Sequence, residues 1–599
     1  MSAPLALVLM WHMHQPDYRD YATRAFRRPW VYLHAIKDYT DMVAHLERHP
    51  GMRAVVNFTP VLLEQIEDYA EQFASGSIRD PLLALLARAP DTPLTPPERA
   101  LILSSCFEAN AAHMIHPFPA YKSLFDARAL LKERGDDIGA YLSDTFYYDL
   151  VTWYHLVWMG ETVRRSSETV ARLMSQGERF SHEDRTELFK LIGDLIGNVI
   201  HRYTRLAVSG QIELSTTPDH HPLAPLLINL ASAREAMPGA DLPKSREYPG
   251  GSARVAEHIR LAMESHERRF GGRPVGMWPA EGSVSTPLFT LMDAAGVRWC
   301  ASGETVLLNS LPSGGAAADA RTASLRPYRL AGSSPGPVIF FRNDALSDLI
   351  GFEYAKWNGS DAANNFIARL EEIAKAKDGD ARVVSVILDG ENCWEYYDYN
   401  GYYFLEALYR GLEASKSIHT TTFGAYLDRR EGSHPREGSH PREGSHPREG
   451  SHPREGSHPR EGGDPIPTLE KLVAGSWVYG NFATWIGSPD KNRAWDLLCA
   501  AKQSFDLVMA SGRCNDDECA AAHRQLAACE ASDWFWWLGD YNPGPAVASF
   551  DELFRGSLAN LYRLLHLPPP ASLAQPISHG SGHPEAGGTM RRSGEVIQG

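Results

Sequence analysis

The sequence predicts an α/β protein with a parallel sheet closed as a barrel, a helical insertion and a C-terminal helical domain. Three observations predict it. Short β-rich apolar runs recur at 5–11, 53–58, 211–214, 275–278, 297–302, 338–341 and 382–388, which makes seven candidate strands. Helix-like segments lie between most of them, and strands buried on both faces that alternate with helices belong to a parallel sheet. Each run ends in polar or aromatic residues, and in such barrels the chemistry sits at the C-terminal strand ends.

The elements follow in chain order. Residues 1–425 read as the catalytic barrel. The N-terminus MSAPLALVLMWHMHQP has an apolar run but no basic n-region and no small-residue cleavage site, so it reads as a buried first strand. From about 60 to 205 the pattern is nearly all helical, with aromatic-rich pieces such as 149–158, and reads as an insertion into the barrel. Residues 426–464 form a low-complexity linker in which Arg-Glu-Gly-Ser-His-Pro repeats five times without substitution, from Arg430 to Pro459. A unit with one Gly, one Pro and no large apolar side chain cannot offset the entropy of ordering it, so a solvated spacer is favoured over weak metal binding by its histidines. Helical periodicity returns over 465–568. The Pro-, Gly- and Ser-rich end, 569–599, reads as a disordered tail.

Composition narrows the function. A net charge of −15 argues against nucleic acid and anionic membrane surfaces as partners, since both need a basic patch to displace counterions. A neutral polymer such as a polysaccharide fits. Seven cysteines without a CxxC pair indicate neither a disulfide framework nor a zinc ribbon, and imply reduced thiols in a cytoplasm. No run reaches the ~18 to 20 apolar residues of a membrane helix, so a soluble protein is expected.

Five clusters carry chemistry. In the first, strand alternation puts His12 and His14 on one face, where imidazoles could bind a metal, grip sugar hydroxyls or form a structural pair. The second, 210–215, sets Glu213 inside an apolar strand, followed by His221; a buried glutamate is either functional or half of a structural pair. The third places Glu281 just past a strand beside Trp278, whose ring can stack on a sugar. In the fourth, Asp389 closes the strand 383–388 and is followed by Glu391. Together Glu281 and Asp389 are the carboxyl pair that glycoside hydrolysis requires. The fifth, 475–487, is too aromatic and glycine-rich for an ordinary surface loop; it reads as a lid carrying Trp477 and Trp485 as stacking platforms, with a hydrophobic plug between domains as the alternative.

Taken in order, His14-Gln15-Pro16, 210–214, Trp278-Pro279-Ala280-Glu281, Asp389-Gly390-Glu391-Asn392 and 477–487 resemble the five motifs of glycoside hydrolase family 57. The resemblance spans roughly 5–566. It implies an incomplete seven-stranded (β/α) barrel followed by a helical domain, a retaining mechanism on α-glucosidic bonds, Glu281 as nucleophile and Asp389 as acid/base. Sugar-contacting or supporting roles carry to His12, His14, Glu213, His221, Trp278, Glu391, Trp477 and Trp485. Phe341-Arg342-Asn343-Asp344 with 346–348, Met114-Ile115 with Pro117 and Pro119, and Ser532 to Asp540 resemble the amylopullulanase and α-amylase branch more than branching enzymes.

The resulting expectation is a hydrolase of starch-like or glycogen-like α-glucan, with no cofactor and no metal. Glucan transfer is the alternative, since a covalent intermediate can meet water or a sugar hydroxyl, and the acceptor subsites decide which. Two rivals use other chemistry. A metal-dependent polysaccharide hydrolase or deacetylase would place an ion among His12, His14 and Asp344 or Asp389, and needs a further convincing ligand. A non-catalytic glycan-binding protein needs aromatic platforms but no nucleophile.

Overall fold

The computed structural model describes residues 4–89, 91–133, 142–312, 322–332, 336–375, 382–431, 466–582 and 589–592. The repeats predicted to form a linker lie almost wholly outside the described residues. Seven parallel strands form the barrel: β1 (Leu5–Met13), β2 (Ala54–Phe58), β3 (Ile212–Thr216), β4 (Gly276–Met277), β5 (Trp299–Gly303), β7 (Val338–Arg342) and β8 (Val383–Asp389). They pair in that order, and β8 pairs with both β1 and β7 to close the ring. All seven predicted runs are these strands. Outside the ring, β6 (Tyr328–Leu330) lies antiparallel to β7, β9 (Ile418–Thr420) pairs with β1, and β10 (Thr468–Leu469) pairs with β6.

Period-2 alternation sorts the strand residues into two cores. In β1 the side chains of Leu5, Leu7, Leu9, Trp11 and Met13 face the surrounding helices, whereas Ala6, Val8 and Met10 fill the barrel. In β8, Val384, Val386 and Leu388 face outward, and Val383 and Ile387 inward. Continuing the inward row brings His12 and Asp389 to the top of the interior, where they are register partners. Asn57 is the register partner of His12 on the other side, and Ser215 that of Asn57. The upper layer of the barrel is therefore polar above an apolar plug of Met10, Trp299 and Phe340.

Between β2 and β3 the chain makes the helical insertion, from Pro60–Ser75 to the 27-residue helix His182–Val208, and buries its apolar faces against the outside of β1, β2 and β8. The C-terminal helices Pro489–Ser511, Asp516–Cys529, Asp533–Trp537 and Gly544–Leu564 share one core with barrel helices Gly251–Phe270 and Thr286–Ala294, through Val255, Phe289, Trp485, Trp495, Phe535 and Phe554. A buried ion pair crosses this junction: Arg254 lies 2.6 Å and His258 2.7 Å from the Glu530 carboxylate. Arg254 and His258 hold that carboxyl well below the usual range against the opposing effect of burial. All seven cysteines are free thiols. Among the described residues no helix is long and apolar enough to cross a membrane.

In its described residues, 569–582 and 589–592, the end of the sequence differs from the expectation of a disordered tail. Leu573 and Ile577 are buried in the C-terminal core, and Met590 is buried against the first core. The backbone N–H of Ile577 donates to Asp551 at 2.8 Å, and that of Gly539 to the Ser578 hydroxyl at 2.9 Å. Proline and glycine set the average composition of 569–599. These three apolar side chains, spaced far apart, each find a pocket on a surface already built, a gain that composition does not register.

Candidate active site

Above the polar layer lies a cavity of about 590 Å³. Its floor is made by residues at C-terminal strand ends: His12 of β1 and His14 just after it, Glu281 after β4, Arg342 of β7, Asp389 of β8 and Glu391 just after it. Trp477, Trp536 and Trp537 supply aromatic wall, and Asp533 adds a further carboxyl.

Glu281 is held by its own loop and by the 475–487 segment. Its backbone is left-handed, at φ +59° and ψ +24°, a conformation non-glycine residues adopt at a cost of about 1 to 3 kcal/mol and which clusters at functional sites. Gly282 follows at φ +57°, where a Cβ would also sit 2.8 Å from the Trp278 ring. Trp477 clamps this turn twice: its backbone N–H donates to the Glu281 carbonyl, and its indole N–H to Glu281 Oε2, both at 3.1 Å. Val284 and Gly475 bond reciprocally beside it. The segment after the repeats is thus fixed against the third motif, and its Trp477 faces the cavity.

Burial pushes the Glu281 carboxyl up to about 8; the charge of Asp389 adds to this, and the hydrogen bond from Trp477 opposes it. Burial also pushes Asp389 up to about 6, against the hydrogen bond from Asn392 (2.8 Å) and the nearby His14 and Arg342. Because the charge of Asp389 holds the proton on Glu281, the two lose their protons in separate steps and hold one proton between them over the interval. kcat/KM is therefore expected to be bell-shaped, rising as the first proton leaves near pH 6 and falling as the second leaves near pH 8. Initial rates on maltoheptaose from about pH 4 to about pH 10 check this, and a single-sided profile would contradict the shared proton. In the substrate-free pair Glu281 is the harder carboxyl to ionise, so the form with Glu281 charged and Asp389 protonated is the minor one. The Trp477 donor acts in its favour.

Three imidazoles stack beside the pair, with ring centroids 5.8 Å apart for His12 and His14, 5.1 Å for His12 and His221, and 3.8 Å for His14 and His221. The tautomers follow from their partners. Asn57 donates its amide to Ser215, so its Oδ1 accepts from His12 Nδ1 at 2.7 Å. His12 Nε2 is then an acceptor, facing His221 Nε2 at 3.2 Å; His221 donates there and accepts at Nδ1 from the Ser532 hydroxyl at 2.8 Å. Burial, followed by the charge of His14, lowers His12 to about 3, and burial with both neighbouring histidines lowers His221 well below its usual value. Both are neutral at pH 7. His14 Nε2 lies 2.9 and 3.1 Å from the two oxygens of Asp533, and its backbone N–H donates to Glu391 at 3.0 Å. Burial, then the charge of Asp389, raises Glu391 well above the carboxylate range.

The model of glycosyl hydrolase family 57 matches residues 8–437, well over half of the sequence. The chain belongs to glycosyl hydrolase family 57. As a family 57 member it is an enzyme, a glycoside hydrolase or glucanotransferase. Among solved structures, the GH57-type branching enzyme of Pyrococcus horikoshii is similar with a TM-score of 0.53 and 16% identity, over 97% of this chain and 98% of that one. The GH57 branching enzyme of Thermococcus kodakaraensis, in complex with glucose, gives 0.52 and 16% over 93% and 90%. An α-amylase of Thermotoga maritima gives 0.53 and 12% over 94% and 93%. At these identities the likeness is one of fold. No curated protein matches the chain.

In this family 57 fold, His12, His14, His221, Glu281, Asp389, Glu391 and Trp477 line one cavity. Three residues given sugar-contacting or supporting roles do not line this cavity. Glu213 pairs in register with Val55, which puts it one layer below Asn57; its carboxylate accepts from the Trp299 indole at 2.6 Å and the Gly424 N–H at 2.8 Å. Trp278 is fully buried and meets Trp477 edge-on at 5.2 Å, so it supports the wall from behind. Trp485 is also fully buried, in the C-terminal core, beside Trp536 at 5.9 Å. Sequence reasoning gave no site role to Asp533, Trp536 or Trp537. The signal was there in Ser532-Asp533-Trp534-Phe535-Trp536-Trp537, an acid among aromatics, but a five-residue helix offers too few positions for periodicity to tell cavity wall from core.

Proposed function

We propose that this enzyme is a retaining α-glucan-active glycoside hydrolase, with Glu281 as nucleophile and Asp389 as acid/base. The observation that carries the reading is that Glu281 and Asp389, two buried carboxyls at the ends of β4 and β8, line one cavity walled by tryptophans, where burial raises both. Protonated Asp389 gives its proton to the glycosidic oxygen as the bond to C1 breaks. Glu281 Oε attacks C1 from the opposite face and forms a β-linked glycosyl ester. Water, deprotonated by Asp389, then attacks C1, releases Glu281 and returns the α-anomer. Trp477, Trp536 and Trp537 serve as stacking faces. His12, His221 and His14, whose ring nitrogens are bonded to Asn57, Ser532, Thr59, Asp533 and one another, shape the polar side of the site, with Glu391 supporting His14 through its backbone.

Starch-like or glycogen-like chains are the substrate we assign, in an α-amylase or amylopullulanase role within a cytoplasm. Pure enzyme incubated with maltoheptaose is expected to release shorter α-linked sugars only. A ladder extending above seven units would instead mean glucan transfer by the same residues, and no turnover of any α-glucan would remove the reading.

A second reading rests on one observation. His14, His221 and Asp533 offer ligand atoms that all lie within 4.8 Å of one another, a set that suits a divalent cation. This differs from the set that the sequence suggests: Asp344 is engaged by Arg342 at 2.8 Å, and both His221 nitrogens already have partners in His12 and Ser532. Wild-type turnover is therefore expected to survive excess chelator and to gain nothing from Zn²⁺. Replacing His14 with alanine is expected to lower glucan turnover by about 10²-fold, within the range of lost positioning groups, and to keep the melting temperature near wild type. Abolition by chelator with recovery on zinc would favour the metal mechanism.

A further inference from the structure

One wall of the cavity belongs to neither the barrel nor the helical region. Thr589, Met590 and Arg591, near the end of the sequence, line it in the same cavity as the carboxyls. This segment is anchored on both sides. Toward the barrel, Arg592 Nη2 lies 2.8 Å from Glu353 Oε1, and its guanidinium sits 5.1 Å from the centre of the Phe352 ring. Both partners lie in the π-helical turn Leu349–Glu353 between β7 and β8, and Phe352 is itself cavity wall. Toward the helical region, Arg591 donates to Asn542 Oδ1 at 3.0 Å and sits over Tyr541 at 4.3 Å and Trp536 at 5.2 Å. Met590 between them is 7% exposed. Consecutive guanidinium groups stacked on aromatic faces of opposite walls make a bridge, held by cation–π contact and hydrogen bonds together.

A bridge across the rim has a consequence for a polymer. An internal stretch of glucan must enter a groove sideways and leave at both ends, whereas a chain terminus or short oligosaccharide can enter under a bridge. We propose that Met590, Arg591 and Arg592 form a strap that makes the site favour chain ends over glucan rings and internal segments. The proposal rests on the α-glucan reading above.

The test compares maltoheptaose with γ-cyclodextrin, a ring of the same linkage with no end, on the full-length protein. Wild type is expected to turn over the ring at least about tenfold more slowly than the linear sugar, a ratio within reach of steric exclusion. The double variant R591A/R592A, with both anchors released, is expected to raise the ring-to-linear ratio by at least about fivefold. Glu353→Ala, which releases only the barrel side, is expected to move it in the same direction and serves if the double variant does not fold. Equal rates on ring and linear sugar by wild type, or an unmoved ratio in the folded variants, overturns the strap and leaves the α-glucan reading standing. Failure of wild type on maltoheptaose and every other α-glucan overturns both.

Discussion

Replacing Glu281 with alanine is expected to lower turnover of maltoheptaose by about 10³-fold or more, roughly 4 kcal/mol of lost transition-state stabilisation. The loss should hold for every substrate, because without the carboxylate no covalent step can occur whatever the leaving group. Folding should survive: the clamp on the 281 turn includes the Trp477 backbone bond to the Glu281 carbonyl, which alanine retains, although the left-handed φ of +59° costs alanine as well. Azide placed in the vacated space attacks an activated α-glucosyl fluoride from the face Glu281 used, and so should yield the β-glucosyl azide. Recovery of activity on natural glucan without azide, or an α-azide from this variant, would remove Glu281 from the nucleophile's role.

Asp389→Ala should fail differently. Loss of a general acid costs about 10²- to 10⁴-fold on natural glucan, whose leaving oxygen must be protonated, and far less on a fluoride that needs little help. Glu281 is intact, so the glycosyl ester forms and accumulates, and a burst of fluoride ahead of steady state should be visible. Azide then replaces the water that Asp389 no longer deprotonates, attacks the β-linked ester from the opposite face and gives the α-azide. Wild type should release the α-anomer first by NMR. The falling limb of the pH profile, which reports loss of the last proton of the pair, should disappear for Asp389→Ala acting on the fluoride. Exchanged azide stereochemistry between the two variants would reverse the assignment of the carboxyls.

The sequence carried the barrel because its signal is local. The seven runs are apolar along their length, and Arg382 and Arg53 flank strands that begin one residue later, at Val383 and Ala54. Asp389 was legible for the same reason, since a carboxylate closing an apolar run can only emerge at the strand's end. Glu281 was legible as a carboxylate just past a strand. What the runs could not convey was layer. Glu213 and Asn57 both point inward from adjacent strands, yet pairing in register with Val55 leaves Glu213 one layer deep, against Trp299, while Asn57 reaches His12. Inward direction follows from alternation within one strand. Height follows from stagger between strands, which no single strand encodes.

By itself the sequence determined which residues could do chemistry and on which strand ends they stand: His12, His14, Glu281, Asp389 and Glu391, with a neutral polymer as the fitting partner of a chain of net charge −15. Tertiary structure alone decided which aromatic rings are wall and which are core. Trp477, Trp536 and Trp537 face the cavity; Trp278 and Trp485 are buried behind it. It also brought Asp533, more than five hundred residues away in the chain, to 2.9 Å from His14, and a Pro- and Gly-rich terminus to the cavity's rim. The physical reason is common to all of these. A tryptophan gains similar free energy by packing in a core or by lining a pocket, and a composition-poor tail gains it from surfaces that exist only once the rest has folded, so both outcomes are fixed by long-range packing and neither by local propensity.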